Sequence, residues 1–549
     1  MHYADTALRL DMTAKNVLTP NPGWSWGQVQ AAVPGLSSYP DPAWLTSGIN
    51  GRVTMLGSPD LPGDVIWDSP GAVWQPRLGI SYALDKQTVI HLTSGVIYQG
   101  MYGMGVDASN SITILQDSFS SVLTLDGEHW ISELGLERGF GLFPLQPDGS
   151  HLGYTPAIKN NKQFWYDTLG GDAGPFYATQ QSAPQEYDWG VSFQRQIGNA
   201  WVATAEYQGI RGIHMVTPSN GFKLNALPID YRSLGATMFT PVPNPFDGQT
   251  QAFAGAPTIP LWRLLSRMPQ YNPITYEETT WGYMMAHYLN FQIQSRGWHG
   301  LGLLASYQNR HTYTTNSAKD ARESGPANWG YQNPYNFSEA YGPANYEIPQ
   351  RLMFEYSYDL PVGRGRYFMS NPASFAGKVL DKVIGGWGLA GVSMFWPHGT
   401  VIQMPRPANA NTAPGASLFY TLIPGQYKSG NYKPSCALVN NNQFVSSNPC
   451  SYFNRDGFFR TPNYGFGTMG RNFHDARQPG GFSTDASILK NFYFSAEHSR
   501  YFQIRAEATD FLNHPLYGTI VASPSSPVFG GINGKSGSRI MQIGGRFYF

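Results

Sequence analysis

Apolar and polar residues alternate with a period of two over short stretches that recur along most of the chain. Leu78, Ile80, Tyr82 and Leu84 fall on one face of 77–84, Asp85-Lys86-Gln87 forms a polar turn, and a second run extends from Thr88 to Gln99. Alternation of this kind describes a strand with one apolar and one wet side, and two runs joined by a tight turn make a hairpin. The unit returns at 187–197 (Trp189, Val191, Phe193) with 201–209 (Trp201, Ala203, Ala205, Tyr207). It returns at 288–295 (Leu289, Phe291, Ile293) with the strand beginning Leu301, Leu303, Ala305, Tyr307. Runs 350–360, 387–403, 482–492 and 500–512 follow. In the last run, 538–549, Met541, Ile543, Gly545, Phe547 and Phe549 share one face; Gln542, Gly544, Arg546 and Tyr548 share the other. Eleven strands are predicted in this way, with Thr6–Met12 a candidate twelfth.

The connections alternate in length. Turns after 77–84, 187–197, 288–296 and 482–493 are short, whereas 100–186, 213–286, 314–349, 404–481 and 513–537 are long and rich in Gly, Pro, Asn and Tyr. Long irregular connections are unusual in a compact soluble domain. Short turns at one rim and long loops at the other are the habit of a transmembrane β-barrel. The expected fold is therefore all-β: an antiparallel transmembrane barrel portion of about 11–12 strands with long extracellular loops. Residues 1–70 are expected to be an irregular segment with a possible first strand, and 71–549 the barrel. Phe375, Val379, Leu380, Val383 and Ile384 have helical spacing. A short amphipathic helix at the membrane surface fits them, and a buried helix shares the pattern.

Composition supports the membrane reading. Charged residues are 13% of the 549 and aromatics 14%, against roughly 25% charged in ordinary soluble domains. No apolar run approaches the length of about 18 residues that marks a membrane helix, and a barrel needs none. The net charge of zero argues against a nucleic-acid partner. Met1 is followed by His-Tyr-Ala-Asp-Thr, with no basic and no apolar region of a signal peptide. Because an outer-membrane barrel must be exported, the expectation is that residues 1–549 are the C-terminal part of a longer protein.

The pattern carried by Gln542, Gly544, Phe547 and Phe549 resembles the C-terminal assembly signal of bacterial outer-membrane barrels. Further stretches resemble the Oar-like TonB-dependent transporters of the outer membrane. They are Pro76-Arg77-Leu78-Gly79, Val242-Pro243-Asn244-Pro245-Phe246, Ile348-Pro349-Gln350-Arg351-Leu352, Asp359-Leu360-Pro361-Val362-Gly363-Arg364-Gly365, Gly385-Gly386-Trp387, and Arg505-Ala506-Glu507-Ala508 through Phe511-Leu512-Asn513-His514-Pro515. In order and spacing they cover most of 70–549. The resemblance implies a barrel of about 22 strands, a plug in its lumen, and energy supplied through contact with TonB. Signal peptide, plug and first strands are not found in this sequence, so the TonB system is expected as a partner only through a plug domain outside the chain. Outer-membrane lipid and the barrel assembly machinery are the other expected partners; the substrate is unknown. The alternative is a structural or adhesive barrel whose loops bind a matrix or partner.

Chemistry of other kinds is sparse, and no enzyme activity, cofactor or metal is expected. His287, His299, His398 and His514 stand without a carboxylate or Cys at ligand spacing, and Glu277-Glu278 is an ordinary solvated loop pair. Arg505 and Glu507 alternate on a lumen face and are expected to satisfy each other or neighbouring strands rather than bind substrate, although a lumen residue can do both. Cys436 and Cys450 lie in one Pro/Asn/Ser-rich stretch and are expected to form a loop disulfide in an exported protein. The Tyr- and Trp-rich loops are the candidate ligand surface, since aromatic faces stack on rings. The same side chains can equally fold the loops on themselves.

Overall fold

A computed structural model describes residues 8–55, 72–98, 176–177, 182–215, 222–249, 256–277, 280–315, 331–370, 374–405, 412–416, 419–459, 461–470, 472–494 and 500–549. Residues 1–7, most of the connection 100–186, Glu278 and the turn 495–499 lie outside them.

The wall is one antiparallel sheet of eleven strands in sequence order: β1 (Arg77–Asp85), β2 (Thr88–Tyr98), β3 (Gln185–Ile197), β4 (Trp201–Met215), β5 (Gly282–Trp298), β6 (Leu301–Thr314), β7 (Gln350–Asp359), β8 (Trp387–Gln403), β9 (Asn472–Tyr493), β10 (Tyr501–Thr509) and β11 (Ile540–Tyr548). These are the eleven runs of period two. A two-residue strand, Gly342–Pro343, adds to β6 at its loop-side end. Among the described residues β1 pairs only with β2 and β11 only with β10, so both are edges.

The register lays the faces out as continuous rows. Tyr82, Ile90, Phe193, Ala205, Phe291, Tyr307, Leu352, Phe395 and Phe482 are successive cross-strand partners from β1 to β9. Directly paired residues share a face, so this row is one apolar stripe across nine strands. Its members Tyr82, Phe193, Phe291 and Phe395 are 40–64% exposed. Large exposed apolar side chains in such a row are costly in water and at home in hydrocarbon. Toward the short-turn rim the stripe ends in rings: Trp201 and Trp298 lie 5.7 Å apart, Phe494 and Phe547 5.6 Å, and Phe547 and Phe549 5.4 Å. This is a girdle of the kind expected where hydrocarbon meets headgroups.

Several strands are longer than the roughly 9–11 residues that cross a bilayer; β9 has 22 and β5 and β8 have 17. Their loop-side ends change from alternating to buried, at Met215, Met284, Ala286, Val401, Ile402 and Ala476. There the long connections fold over the wall. One loop-side core joins Ile402, Met404, Phe419, Tyr420, Phe453, Phe458, Phe529 and Ile532. Phe453 and Phe529 stack at 5.1 Å within it.

The N-terminal segment differs from expectation in two ways. Residues 8–55 hold regular structure, with short helices Trp26–Ala32 and Trp44–Ser47. Its strand Leu8–Lys15 pairs with Asn50–Met55 as a separate hairpin and is not a twelfth wall strand. Leu18, Val29, Val33, Leu36, Trp44 and Ile49 share a core with Leu227, Tyr231, Met238, Phe246 and Leu261–Leu265. Trp44 Nε1 donates to Leu264 O at 2.6 Å, and Trp24 Nε1 to Pro243 O at 2.9 Å. Asn244 Oδ1 accepts from Phe246 N at 2.9 Å, a side-chain turn that drops the Phe246 ring into this core. Packing of rings from distant segments needs no local periodicity, which is why the linear pattern looked like loop.

Candidate functional site: the polar concave face of the wall

Opposite the apolar stripe the register builds a polar one. Ser81, His91, Ser192, Glu206, Asn290, Gln308 and Arg351 are successive partners across β1–β7. Seven hydrogen-bonding side chains in a row make a wet surface, as a barrel lumen requires. Ser81 Oγ lies 2.8 Å from His91 Nδ1, and Ser306 Oγ donates to Asn290 Oδ1 at 3.2 Å.

Further along, a trough of about 660 Å³ is lined by Gln294, Glu355, Asp485, Arg505, Glu507 and Gln542 among others. Arg505 is ion-paired with Glu507, which also accepts from Gln542 Nε2. The arginine and glutamate thus satisfy each other on the lumen side. Both remain partly exposed, at 47% and 32%, so the pair presents two signs of charge to the trough. Below it Tyr501 stacks on Tyr548 at 4.4 Å, with Tyr493 5.5 Å from Tyr501. Such a surface can hydrogen-bond a polar solute. Among the described residues no group of three or more His, Cys, Asp and Glu is placed to hold a metal ion.

The residues singled out in the sequence fall in three places. Gln542 lines the trough and Gly544 follows on the same face. Phe547 and Phe549 point to the apolar side at the rim, 50% and 95% exposed. Cys436 and Cys450 lie side by side in the 404–471 connection, their Cα atoms 5.4 Å apart. His287 stacks on Tyr207, its Nδ1 2.9 Å from the phenol oxygen. Among the described residues, the loop aromatics Trp44 and Phe246 in one core and Phe453 and Phe529 in the other are almost fully buried.

Two residues escaped the sequence reading. Lys490 lies on the apolar side, paired across strands with Trp387 and Ile504, yet it is buried. Its Nζ donates to Gly385 O and to Val383 O, the latter at 3.3 Å. Glu347 is buried in a loop beside the top of β6, where its carboxylate accepts from Thr312 N and, at 2.9 Å, from Thr312 Oγ1. Burial pushes its carboxyl above the usual carboxylate range, opposed by the Thr312 hydrogen bonds and by His311 and Arg477. An acid whose folded pKa is raised stabilises the fold below its unfolded pKa, and that contribution is lost as pH rises through the folded pKa. Glu347→Gln is therefore expected to flatten the pH dependence of this contact above the usual carboxylate range and to leave it as stable or more so at neutral pH. The difference should be on the order of 1 kcal/mol, read from amide exchange at Thr312. An unchanged slope in the variant contradicts the assignment.

A comparison with curated proteins finds no match. Among solved structures the chain is similar to the outer membrane transporter YddB from Escherichia coli, at 8% identity over 85% of this chain and 39% of that one, with a TM-score of 0.34. It is similar to the FrpB iron transporter from Neisseria meningitidis, at 6% identity over 86% and 38%, TM-score 0.33. The ferripyoverdine receptor of the outer membrane of Pseudomonas aeruginosa matches at 9% identity over 91% and 35%, TM-score 0.35. The chain spans less than two-fifths of the length of these structures. The family model for the outer membrane beta barrel domain matches residues 17–542. With its apolar outer stripe, ring-lined rim and polar concave face, the chain belongs to the outer membrane beta barrel domain family and is an antiparallel β-barrel protein of the cell outer membrane.

Proposed function

We propose that this chain is the C-terminal barrel portion of an Oar-like TonB-dependent transporter and takes part in uptake of a large or scarce substrate. The observation that carries the reading is the eleven-strand sheet with a charged, hydrogen-bonding face and, among the described residues, two edges without a partner strand. Lipid does not tolerate an unpaired strand edge, and in this reading further strands complete the wall. In the Oar-like reading these come from the part of the barrel preceding residue 1 in a longer transporter. A plug outside residues 1–549 fills the lumen and meets TonB, and no step here is enzymatic.

The same proposal assigns Gln542, Gly544, Phe547 and Phe549 to contact with the barrel assembly machinery, since β11 has an edge without a partner among the described residues and an exposed terminal ring. It also assigns a disulfide to Cys436 and Cys450. A structural or adhesive barrel is the second reading, favoured by the two well-packed loop-side cores.

Gene deletion should abolish accumulation of a substrate whose uptake also stops when TonB is lost. Returning residues 1–549 alone should not restore it, and returning the complete protein with Phe549→Ala should restore less because less protein reaches the membrane. Deletion that leaves every TonB-dependent accumulation intact removes the transport reading. Uptake restored by 1–549 alone removes the half-barrel reading, and normal membrane levels of the Phe549→Ala protein remove the assembly assignment.

A further inference from the structure

The connection between β7 and β8 lies at the short-turn rim and carries a ten-residue helix, Phe375–Ile384. No residue of this helix is buried. Phe375, Val379, Leu380, Val383 and Ile384 occupy one half of its circumference, 37–84% exposed, whereas Lys378, Asp381 and Lys382 occupy the other. The helix is nonetheless tethered at both ends. Ser374 Oγ caps it, accepting from Gly377 N at 3.0 Å. At the far end Trp387 Nε1 donates to Val383 O at 3.0 Å, and Lys490 Nζ donates to Val383 O and Gly385 O. A cation at a helix C-terminus meets the negative end of its dipole.

Lys490 fixes which side of the wall the helix end occupies. Its cross-strand partners Trp387 and Ile504 belong to the apolar face, and its Nζ lies 5.3 Å from the ring centres of both Trp387 and Phe492. Gly386 makes the close approach possible. Its φ is +72°, and a Cβ there would stand 2.5 Å from Asn491 O. The exposed helix face is thus continuous with the lipid-facing wall at its ring-lined rim.

Beside the helix a cavity of about 540 Å³ is lined by Arg364, Arg366, Lys378 and Lys382 with only Asp359 and Asp381 as carboxylates. Arg366 is ion-paired with Asp359 at 2.8 Å, and Asp381 accepts from Arg364 N at 2.7 Å. The guanidinium of Arg364 and the two ammonium groups of the helix are the cations of this cavity beyond the Arg366 pair. An apolar face at acyl-chain level with cations just beside it is the arrangement of an interfacial helix that selects anionic lipid.

We propose that the 359–387 connection is a membrane-surface anchor: the helix lies in the headgroup region outside the barrel, and Arg364, Lys378 and Lys382 hold the phosphate of an anionic phospholipid. Trp387, Phe492 and Phe494 of the apolar side line the cavity next to the exposed helix face, and Asp359, Asn491 and Tyr493 of the polar face close its other side. The occupant is lipid because apolar rings and cations meet there, and the charge complements a phosphodiester.

The test uses the complete protein folded into nanodiscs of phosphatidylcholine with and without phosphatidylglycerol. A spin label at Val379→Cys, on a Cys436→Ser/Cys450→Ser background, should be relaxed by oxygen and shielded from a water-soluble nickel chelate. Native mass spectrometry of retained lipid should show phosphatidylglycerol preferred over phosphatidylcholine. Lys378→Gln/Lys382→Gln should lower that preference on the order of tenfold. Both lysines are exposed, so the wall should keep its circular dichroism. A label open to the chelate overturns the anchor, and a preference equal in wild type and variant overturns the headgroup site.

Discussion

Phe291→Arg is expected to destabilise the wall by about 2–4 kcal/mol, whereas Gln292→Arg, one residue on, should be nearly silent. Phe291 sits in the apolar stripe, 49% exposed, and is the direct partner of Ala205 and Tyr307. Gln292 pairs with Thr204 and Ser306 on the polar face. Phe291 stands six positions before the turn at Gly297. At roughly 3.3 Å per residue and a tilt of about 45° this puts it about 14 Å above the rim, near the middle of the hydrocarbon. Depth is the sharper part of the expectation. Ile504 is also on the apolar face, yet its cross-strand partner is Lys490 and it lies only three residues into β10. There an arginine should cost only about 0–1 kcal/mol, as near an interface. Reversible unfolding of the complete protein in lipid measures all three. Equal costs at 291 and 292 would reverse the face assignment, and equal costs at 291 and 504 would reverse the depth.

Removing the proposed disulfide is expected to weaken the loop-side core by about 3 kcal/mol and to leave the wall unchanged. Cys436 and Cys450 are 14 residues apart, and cross-linking a loop of that length removes on the order of 3 kcal/mol of unfolded-chain entropy. Cys450 packs against the same core as Phe453 and Phe458, so the loss should appear there first. Amide exchange around Phe453 and Ile532 should quicken in Cys436→Ser/Cys450→Ser, and exchange in β5 and β6 should not. Peptides mapped without reduction should show the linked pair. Free thiols in protein from an oxidising compartment, or equal exchange in both forms, would contradict the bridge.

These expectations show unequal legibility. The wall was written in the chain, because a strand with lipid on one side and water on the other must alternate at every second residue. Leu289, Phe291 and Ile293 against Asn290, Gln292 and Gln294 state this locally. The rim helix was legible for the same reason: Phe375, Val379 and Val383 repeat with the period of the element they build.

Sequence alone thus determined the eleven strands, their faces, the alternation of short and long connections, and Arg505 and Glu507 as lumen-side residues, whose mutual pairing the structure supplied. Only the tertiary structure decided what has no period. The loops are not structureless, since Trp44 finds Leu264 and Phe453 finds Phe529 across long stretches of chain. The strand near the N-terminus pairs with Asn50–Met55 rather than with the wall. Lys490, a charged residue on an apolar face, is accommodated by the end of the helix, whose carbonyls accept its hydrogen bonds. Solvent on each side of a sheet acts residue by residue and leaves its record in the local sequence. A partner brought from a hundred positions away leaves none.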